Sequence, residues 1–297
     1  MSRLLWFFQL LLIVLFTLPL AVIPYKASLK VGDVLGYLLF YLWKSRRVIA
    51  LENLRSAVSR NAILSDLSPE SITMQNFRNL GKSFIEVVKI YYGLDSQIYK
   101  NIKINGEENF RKALAKGRGV ILITGHCGNW ELSGIALSLK LTKMNAIARP
   151  LNNPYLNRII EKAREKYGNN IIYKRGALKK ILSSLKRNEP VTILMDQSVT
   201  RSEGIIIDFL GKNAYTTKMP ALIARRTDSP VLPFFIRRVK GGHRIEIGEE
   251  IKLHKSEDSE KDILSNTINF TKSIEEYIRK NPSEWLWIHR RWKRIKD

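Results

Sequence analysis

A chain of 297 residues, 45% of them hydrophobic and 26% charged, is long enough for one large domain with its own core or for two small ones. Lysine and arginine number 50 against 27 acidic residues, a formal charge of +23, which suits a polyanionic partner: nucleic acid, an anionic membrane surface, or an acidic carrier or substrate. The one cysteine, Cys127, excludes an internal disulfide and a cysteine-based metal site, and no internal repeat points to a solenoid or propeller.

The first element is apolar. Leu4 to Ile23 reads LLWFFQLLLIVLFTLPLAVI, without a charge. As a helix it spans about 30 Å, the hydrocarbon thickness of a bilayer. It is longer than the roughly 7–15 apolar residues of a cleaved signal peptide, so a retained anchor is expected over residues 1–27. Lys26, Lys30, Lys44, Arg46 and Arg47 follow it and only Arg3 precedes it, a bias that puts the rest of the chain on the cytoplasmic side. Pro19 and Pro24 leave a kinked or shallow insertion open beside a full crossing.

Residues 28–105 read as a helical, membrane-proximal region. From Leu29 to Leu64, Val31, Val34, Leu35, Leu38 and Leu39 share one helical face, and Val48, Leu51, Leu54 and Val58 another. The basic run Lys44-Ser45-Arg46-Arg47 between them suits the membrane surface. A further helix is predicted from Pro69 to Tyr92, with Phe77, Leu80, Phe84, Val87 and Val88 inward and Ser68 or Ser71 as its cap.

After Asn105-Gly106 the pattern alternates. Helices are predicted at Glu107–Lys116, Asn129–Leu141, Pro154–Lys166 and Ala177–Lys186, and strands at Gly119–Thr124, Asn145–Ala148, Asn170–Tyr173 and Val191–Met195. Further strands are expected at Ile205–Phe209, Val231–Val239 and His243–Ile247, and helices at Lys218–Thr227 and Glu260–Lys280. Near-continuous apolar strands alternating with helices specify an α/β fold: a mixed, mostly parallel sheet covered by helices on both faces, over residues 106–297.

The stretch GHCGNWE, Gly125 to Glu131, joins the first of these strands to the helix after it. Five residues on one continuous helix separate His126 and Glu131 by about 140°, so they converge only if the segment turns, and the glycines allow that. Asn129 is a good N-cap, and the loop lies beyond the carboxyl end of a strand, where α/β sheets bind ligands. An imidazole there can take a proton from an attacking hydroxyl, with a carboxylate on its other nitrogen and helix N–H groups for an oxyanion. As isolated residues, a histidine after a strand and an acid at a helix start are commonly structural. Metal binding is weaker, since the spacing lacks the two histidines of a zinc-protease helix, and Cys127 is adjacent to His126, so their side chains point apart.

GHCGNWE resembles the His-x4-Asp/Glu signature of the glycerolipid acyltransferase superfamily, and in this form the branch of bacterial late lipid A acyltransferases. Similar matches run along the chain: Glu52-Asn53-Leu54, Phe77 with Gly81 and Glu86, Arg149-Pro150 with Asn153-Pro154, Arg164 before Gly168, Asp196-Gln197, Phe209 and Gly211 with Thr216 and Thr217, and the closing Trp285-Leu286-Trp287-Ile288-His289-Arg290-Arg291-Trp292. Leu210 stands where a second phenylalanine is usual. The resemblance implies a glycerolipid-acyltransferase-like fold, with His126 as general base and Glu131 as its charge partner. Asn129, Arg149, Arg164, Asp196 and Gln197 are the candidate substrate-binding residues. Asp196, at a strand end, would orient a substrate hydroxyl or an arginine. One of Arg149 and Arg164, with Arg164 favoured by the resemblance, would clamp a phosphate on acceptor or donor, and Thr216 and Thr217 would cap a helix.

The function expected is transfer of a fatty acyl chain to a hydroxyl of a lipid A precursor at the cytoplasmic face of the inner membrane. No metal and no cofactor are expected; the acyl donor, a thioester of acyl carrier protein or of CoA, is a substrate. Expected partners are acyl carrier protein, an anionic glycolipid or phospholipid acceptor, and the membrane. The alternating tryptophans and cations of Trp285–Lys293 would suit nucleic-acid bases equally, and tryptophans packed in the core with solvated cations stay open, but beside an anchor membrane proximity is favoured over nucleic acid. The same chemistry on a lysophospholipid, a phosphatidylinositol mannoside or an aminolipid stays open, as do a hydrolase and a non-catalytic tethered binder of anionic lipid or nucleic acid.

Overall fold

The computed structural model describes residues 3–173 and 176–295, so the outermost residues of the expected anchor (1–2) and of the α/β unit (296–297) lie outside it. Helix α1 spans Arg3–Val22, and Ala21 is its one buried residue. Among the described residues it is the one helix long and apolar enough to cross a membrane. Its last carbonyls are not left bare. Lys89 donates from Nζ to Ala21 O at 2.7 Å and also to Ile23 O, supplying partners that a helix end lacks.

The predicted helical stretch after it breaks at Trp43 into α2 (Tyr25–Leu42) and α3 (Lys44–Ser59). Helix α4 (Pro69–Tyr91) begins with Pro69 in its first turn, and Ser68 caps it by accepting from Ser71 N. Helices α2 and α4 touch backbone to backbone. A Cβ on Gly81 would lie 2.1 Å from Gly32 O, and one on Gly36 would lie 2.3 Å from Phe77 O. Only glycine permits that approach.

A short helix α5 (Ser96–Lys100) leads into strand β1 (Ile102–Asn105), and the alternation follows: α6 (Glu107–Leu114), β2 (Val120–Thr124), α7 (Trp130–Lys140), β3 (Met144–Ala148), α8 (Pro154–Lys166), β4 (Asn169–Tyr173), α9 (Ala177–Lys186) and β5 (Pro190–Leu194). A hairpin of β6 (Gly204–Phe209) and β7 (Lys212–Thr217), helix α10 (Met219–Thr227), strands β8 (Val231–Val239) and β9 (Gly242–Ile247) and helix α11 (Ser259–Lys280) complete the chain before its irregular tail. The seven-stranded sheet runs β1-β9-β8-β2-β5-β3-β4, parallel except where β8 meets β9. Strand β1 precedes position 106, so the sheet takes in residues from the region expected to be helical.

Strand β2 lies between β5 and β8, buried along its whole length. Its side chains alternate between two cores, as a pleated strand requires. Ile121 and Ile123 pack with Val191 and Val231 and with residues of α3, α4, α10 and α11 on one face. Val120 and Leu122 pack with Leu132 and Ile135 of α7 and with Phe234 on the other. This is the mixed, mostly parallel sheet covered on both faces that the apolar runs predict. Trp285 and Trp287 sit in the first core, 1% and 0% exposed. The interface placement expected for the tail gives way to packing there, because these rings fill the space between the sheet and helices α3 and α4.

Gly81→Ala gains intrinsic helix propensity of about 1 kcal/mol but drives its methyl into backbone that cannot swing aside. It should lower stability by about 2 kcal/mol. Gly134→Ala, in α7, meets nothing closer than an atom at 4.0 Å and should be neutral or stabilising by up to about 1 kcal/mol. Thermal unfolding of the two variants in detergent checks the contrast.

Candidate active site

Strands β2 and β5 are hydrogen-bonded neighbours that end at the same edge of the sheet, with Thr124 opposite Leu194. The residues just beyond them, Gly125–Glu131 and Met195–Gln197, are therefore brought together. Gly128 makes the turn, with φ +55°, and a Cβ there would lie 2.2 Å from Ile236 O. Asn129 caps α7, accepting from Leu132 N at 3.1 Å. Its Nδ2 donates to the fully buried carboxylate of Glu86, which also accepts from Tyr25 and, bidentately, from Arg238. Asn129, 3% exposed, thus holds the loop from both ends of its amide, and it lies beneath the site rather than on the cavity wall.

The ring of His126 faces Asp196 rather than Glu131. Nδ1 lies 2.7 Å from Asp196 Oδ1, and the backbone N–H of His126 donates to Oδ2 at 2.9 Å. The indole of Trp285 donates to the same Oδ2 at 2.7 Å. Burial by itself would raise the Asp196 carboxyl. The charge of His126, the bonds from its ring and backbone, and the Trp285 bond outweigh that and hold it at about 2. An ionised Asp196 accepts from Nδ1–H, which leaves Nε2 with its lone pair. Gln197 Nε2 stands 3.1 Å from that atom and donates to it. The ring of Trp130 meets His126 edge to face, with centroids 5.2 Å apart.

Glu131 is occupied elsewhere, for a geometric reason. At the first turn of α7 it points toward α8, where Arg164 binds it with two bonds of 2.7 and 2.8 Å. Burial disfavours the guanidinium charge, and Glu131 more than restores it. The expected His126–Glu131 contact is therefore replaced by His126–Asp196 and Glu131–Arg164. Asp196 orients the histidine rather than a substrate hydroxyl or an arginine, and Arg164 neutralises a carboxylate rather than standing free for a phosphate.

All five of His126, Glu131, Arg149, Arg164 and Gln197 line one cavity of about 470 Å³. Arg149 is exposed at its rim, as are Lys293 and Arg294 of the tail. Small side chains, Gly134 on α7 and Ala146 and Ala148 on β3, open the space between that helix and the sheet. Cys127 is buried and its thiol is pushed well up by desolvation, so it is neither exposed nor ionised for attack. Thr216 and Thr217 end β7; Thr216 Oγ1 accepts from the buried Arg291, whereas Thr217 Oγ1 accepts from Met219 N at 3.4 Å, so of the two it is Thr217 that serves the start of α10.

Sequence reasoning missed Trp285 as a donor to Asp196, and His289. His289 also lines the cavity, and desolvation lowers its ring to about 4, so it is neutral at neutral pH. The alternation of Trp285, Trp287 and His289 in the tail was the available signal, but it says nothing about which residue reaches which strand end.

Residues 2–294 match the family described as bacterial lipid A biosynthesis acyltransferase. The chain is similar to the lipid A biosynthesis palmitoleoyltransferase of Escherichia coli, 27% identical over 91% of this chain and 86% of that protein. It is similar to the lauroyltransferase of the same organism, 25% identical over 91% and 87%. A phosphatidylinositol mannoside acyltransferase of Mycolicibacterium smegmatis is 24% identical over 61% of this chain and 59% of its own length. With a match from one end of the fold to the other, the chain belongs to the bacterial lipid A biosynthesis acyltransferase family, and it is an acyltransferase.

Proposed function

We propose that this protein transfers a fatty acyl chain from an acyl-carrier-protein thioester to a hydroxyl of a lipid A precursor, with His126 as general base. The observation that carries the reading is the state of the His126 ring. Its Nδ1–H is given to Asp196, and its Nε2 lone pair faces a cavity at the carboxyl edge of the sheet. The acceptor hydroxyl displaces the Gln197 amide from Nε2. Its oxygen attacks the thioester carbonyl as its proton passes to Nε2. The imidazolium is stabilised by Asp196. Collapse of the tetrahedral intermediate breaks the C–S bond, and the proton moves from Nε2 to the departing thiolate. The displaced Gln197 amide and the N–H groups at the start of α7 are the donors in reach of the oxyanion.

Glu131 and Arg164 have a different part in this reading. As a mutually neutralised pair in the cavity wall they shape the site and fix the start of α7. The acidic carrier and an anionic acceptor both suit the uncompensated cations at the rim, Arg149, Lys293 and Arg294, and the +23 charge of the chain. Lipid A precursor is favoured as acceptor because the relatives that match most of the chain carry that activity in their names. The exposed apolar surface of α1 and the cations behind it support an anchor in the inner membrane, with the catalytic domain in the cytoplasm.

The test is acyl transfer in isolated membranes, with carrier-protein thioesters and a tetra-acylated lipid A precursor. His126→Ala should lose about 10²–10⁴ in rate. Asp196→Asn should lose a similar factor, because the amide no longer dictates the Nδ1–H tautomer. Full activity in His126→Ala at equal protein level would sink the mechanism, and transfer only to a lysophospholipid would move the acceptor.

Glu131→Ala leaves the Arg164 guanidinium without its counter-charge, with the Tyr91 hydroxyl beside it, in a largely buried site. It should destabilise the fold by about 3 kcal/mol, the low end for a broken buried pair, because the two side chains are 15% and 24% exposed. Thermal unfolding beside Asp196→Asn separates the structural pair from the catalytic one.

A further inference from the structure

An irregular segment has to find partners for its backbone groups one by one, and the tail after α11 finds them in two directions. On one side it grips the catalytic loop. Gly128 N donates to Glu284 O at 2.8 Å, Leu286 N donates to His126 O at 3.0 Å, and Cys127 and Trp285 form an antiparallel bridge. On the other side, helices α3 and α4 grip the tail. Asn76 Nδ2 donates to Ser283 O and Trp285 O at 2.8 and 2.6 Å. Asn53 Nδ2 donates to Trp287 O and His289 O at 2.8 and 2.9 Å, and Arg46 Nη1 donates to Ile288 O at 3.2 Å. Each asparagine amide thus takes two carbonyls of the tail, and Trp285 is held from both sides: it bridges Cys127 and its carbonyl accepts from Asn76.

A buried indole is a donor only and needs an acceptor. A backbone carbonyl would do; that of Pro282 serves Trp287. Trp285 instead donates to the carboxylate that holds the His126 ring. We propose that the tail is a positioning strap. Asn53 and Asn76, on the membrane-proximal helices, set the tail so that the Trp285 indole fixes Asp196, and Asp196 in turn fixes the ring of His126 in its proton-accepting orientation. Trp285, Asn53 and Asn76 are positioning residues, since none of them need touch substrate. The strap makes the membrane-proximal helices part of the catalytic apparatus.

The sign of its effect follows from the hydrogen bond. The indole N–H stabilises the ionised Asp196. Without it the carboxylate is more basic, holds the Nδ1 proton more tightly and stabilises the imidazolium. His126 should then lose its proton at a higher pH. The inference shares with the proposed function only the role of His126, and its main readout needs no turnover.

The chain has four histidines, so ¹⁵N NMR of the full-length protein labelled at histidine, in detergent micelles, resolves them; the His126 signal is the one missing from His126→Ala. Trp285→Phe keeps an aromatic ring in the core and removes the donor. It should raise the His126 titration midpoint by about half a pH unit, part of the one to two units that a hydrogen bond to a charged group is worth. Asn76→Ala, outside the cavity, should shift it in the same direction, and the two together no further than the larger single shift. In the transfer assay kcat should fall about tenfold with KM within about twofold, as for a lost transition-state contact.

Midpoints unmoved while the unfolding temperature drops would make the tail mere packing and overturn the proposal. So would a downward shift, or fully additive effects. If Trp285→Phe does not fold, Asn53→Ala, at a half-buried position, must give the upward shift or the proposal falls. A wild-type protein with no transfer activity would count against the proposed function and leave the strap to be decided by the NMR result.

Discussion

A carboxylate almost wholly out of water persists only if its lone pairs are met by donors. Asp196, 2% exposed, meets that condition with donors from separate parts of the chain: the ring and backbone N–H of His126 after β2, and the indole of Trp285 in the tail. Asp196 itself comes from the end of β5. The one ionised group thus ties together two adjacent strand ends and the last segment of the protein. The turn at Gly128, the packing of Trp285 and Trp287, and the orientation of the histidine all depend on that arrangement.

The acids around the loop follow the same rule in a different way. Glu86 and Glu131 are each joined to an arginine by two bonds, Arg238 and Arg164 respectively. Glu86 holds Asn129 from beneath, and Glu131 holds the start of α7 from the side. Both negative charges are cancelled locally, and Asp196 is the carboxylate in direct contact with His126. The division of labour gives one carboxylate to chemistry and two to architecture. It also leaves the cavity rim, with Arg149, Lys293 and Arg294, net positive.

Much of the fold was legible because strands buried on both faces are apolar throughout. Val120–Thr124 and the apolar first two thirds of Val231–Val239 read directly, and the helix after β2 was bounded by a good signal, Asn129. Strands β1 and β7, IKIN and KNAYTT, escaped because they are short and largely polar, and they gain their pairing from neighbours distant in sequence or from a hairpin partner. The site was half legible. GHCGNWE announced the histidine, but a partner five residues away looked nearer than one 70 residues away. In a parallel sheet the nearer residue is often the one at the end of the adjacent strand, and that adjacency is set by strand order, which spacing does not encode. The tail was misjudged for a related reason: tryptophans beside cations suit an interface as well as a core, and only the space behind the sheet decides.

The glycine contact between α2 and α4 has a further consequence. Gly32 and Gly36, four residues apart, lie on one face of α2 against Gly81, with backbone atoms of the two helices in direct contact. Such a joint draws its strength from close van der Waals approach more than from driving water off large side chains. It holds whether the medium around it is water or hydrocarbon. The pair can therefore rest at the boundary between the two solvents without its geometry depending on how deep it sits. Since α4 also carries Asn76, the spacing of α2 from the tail is set by a joint insensitive to its surroundings.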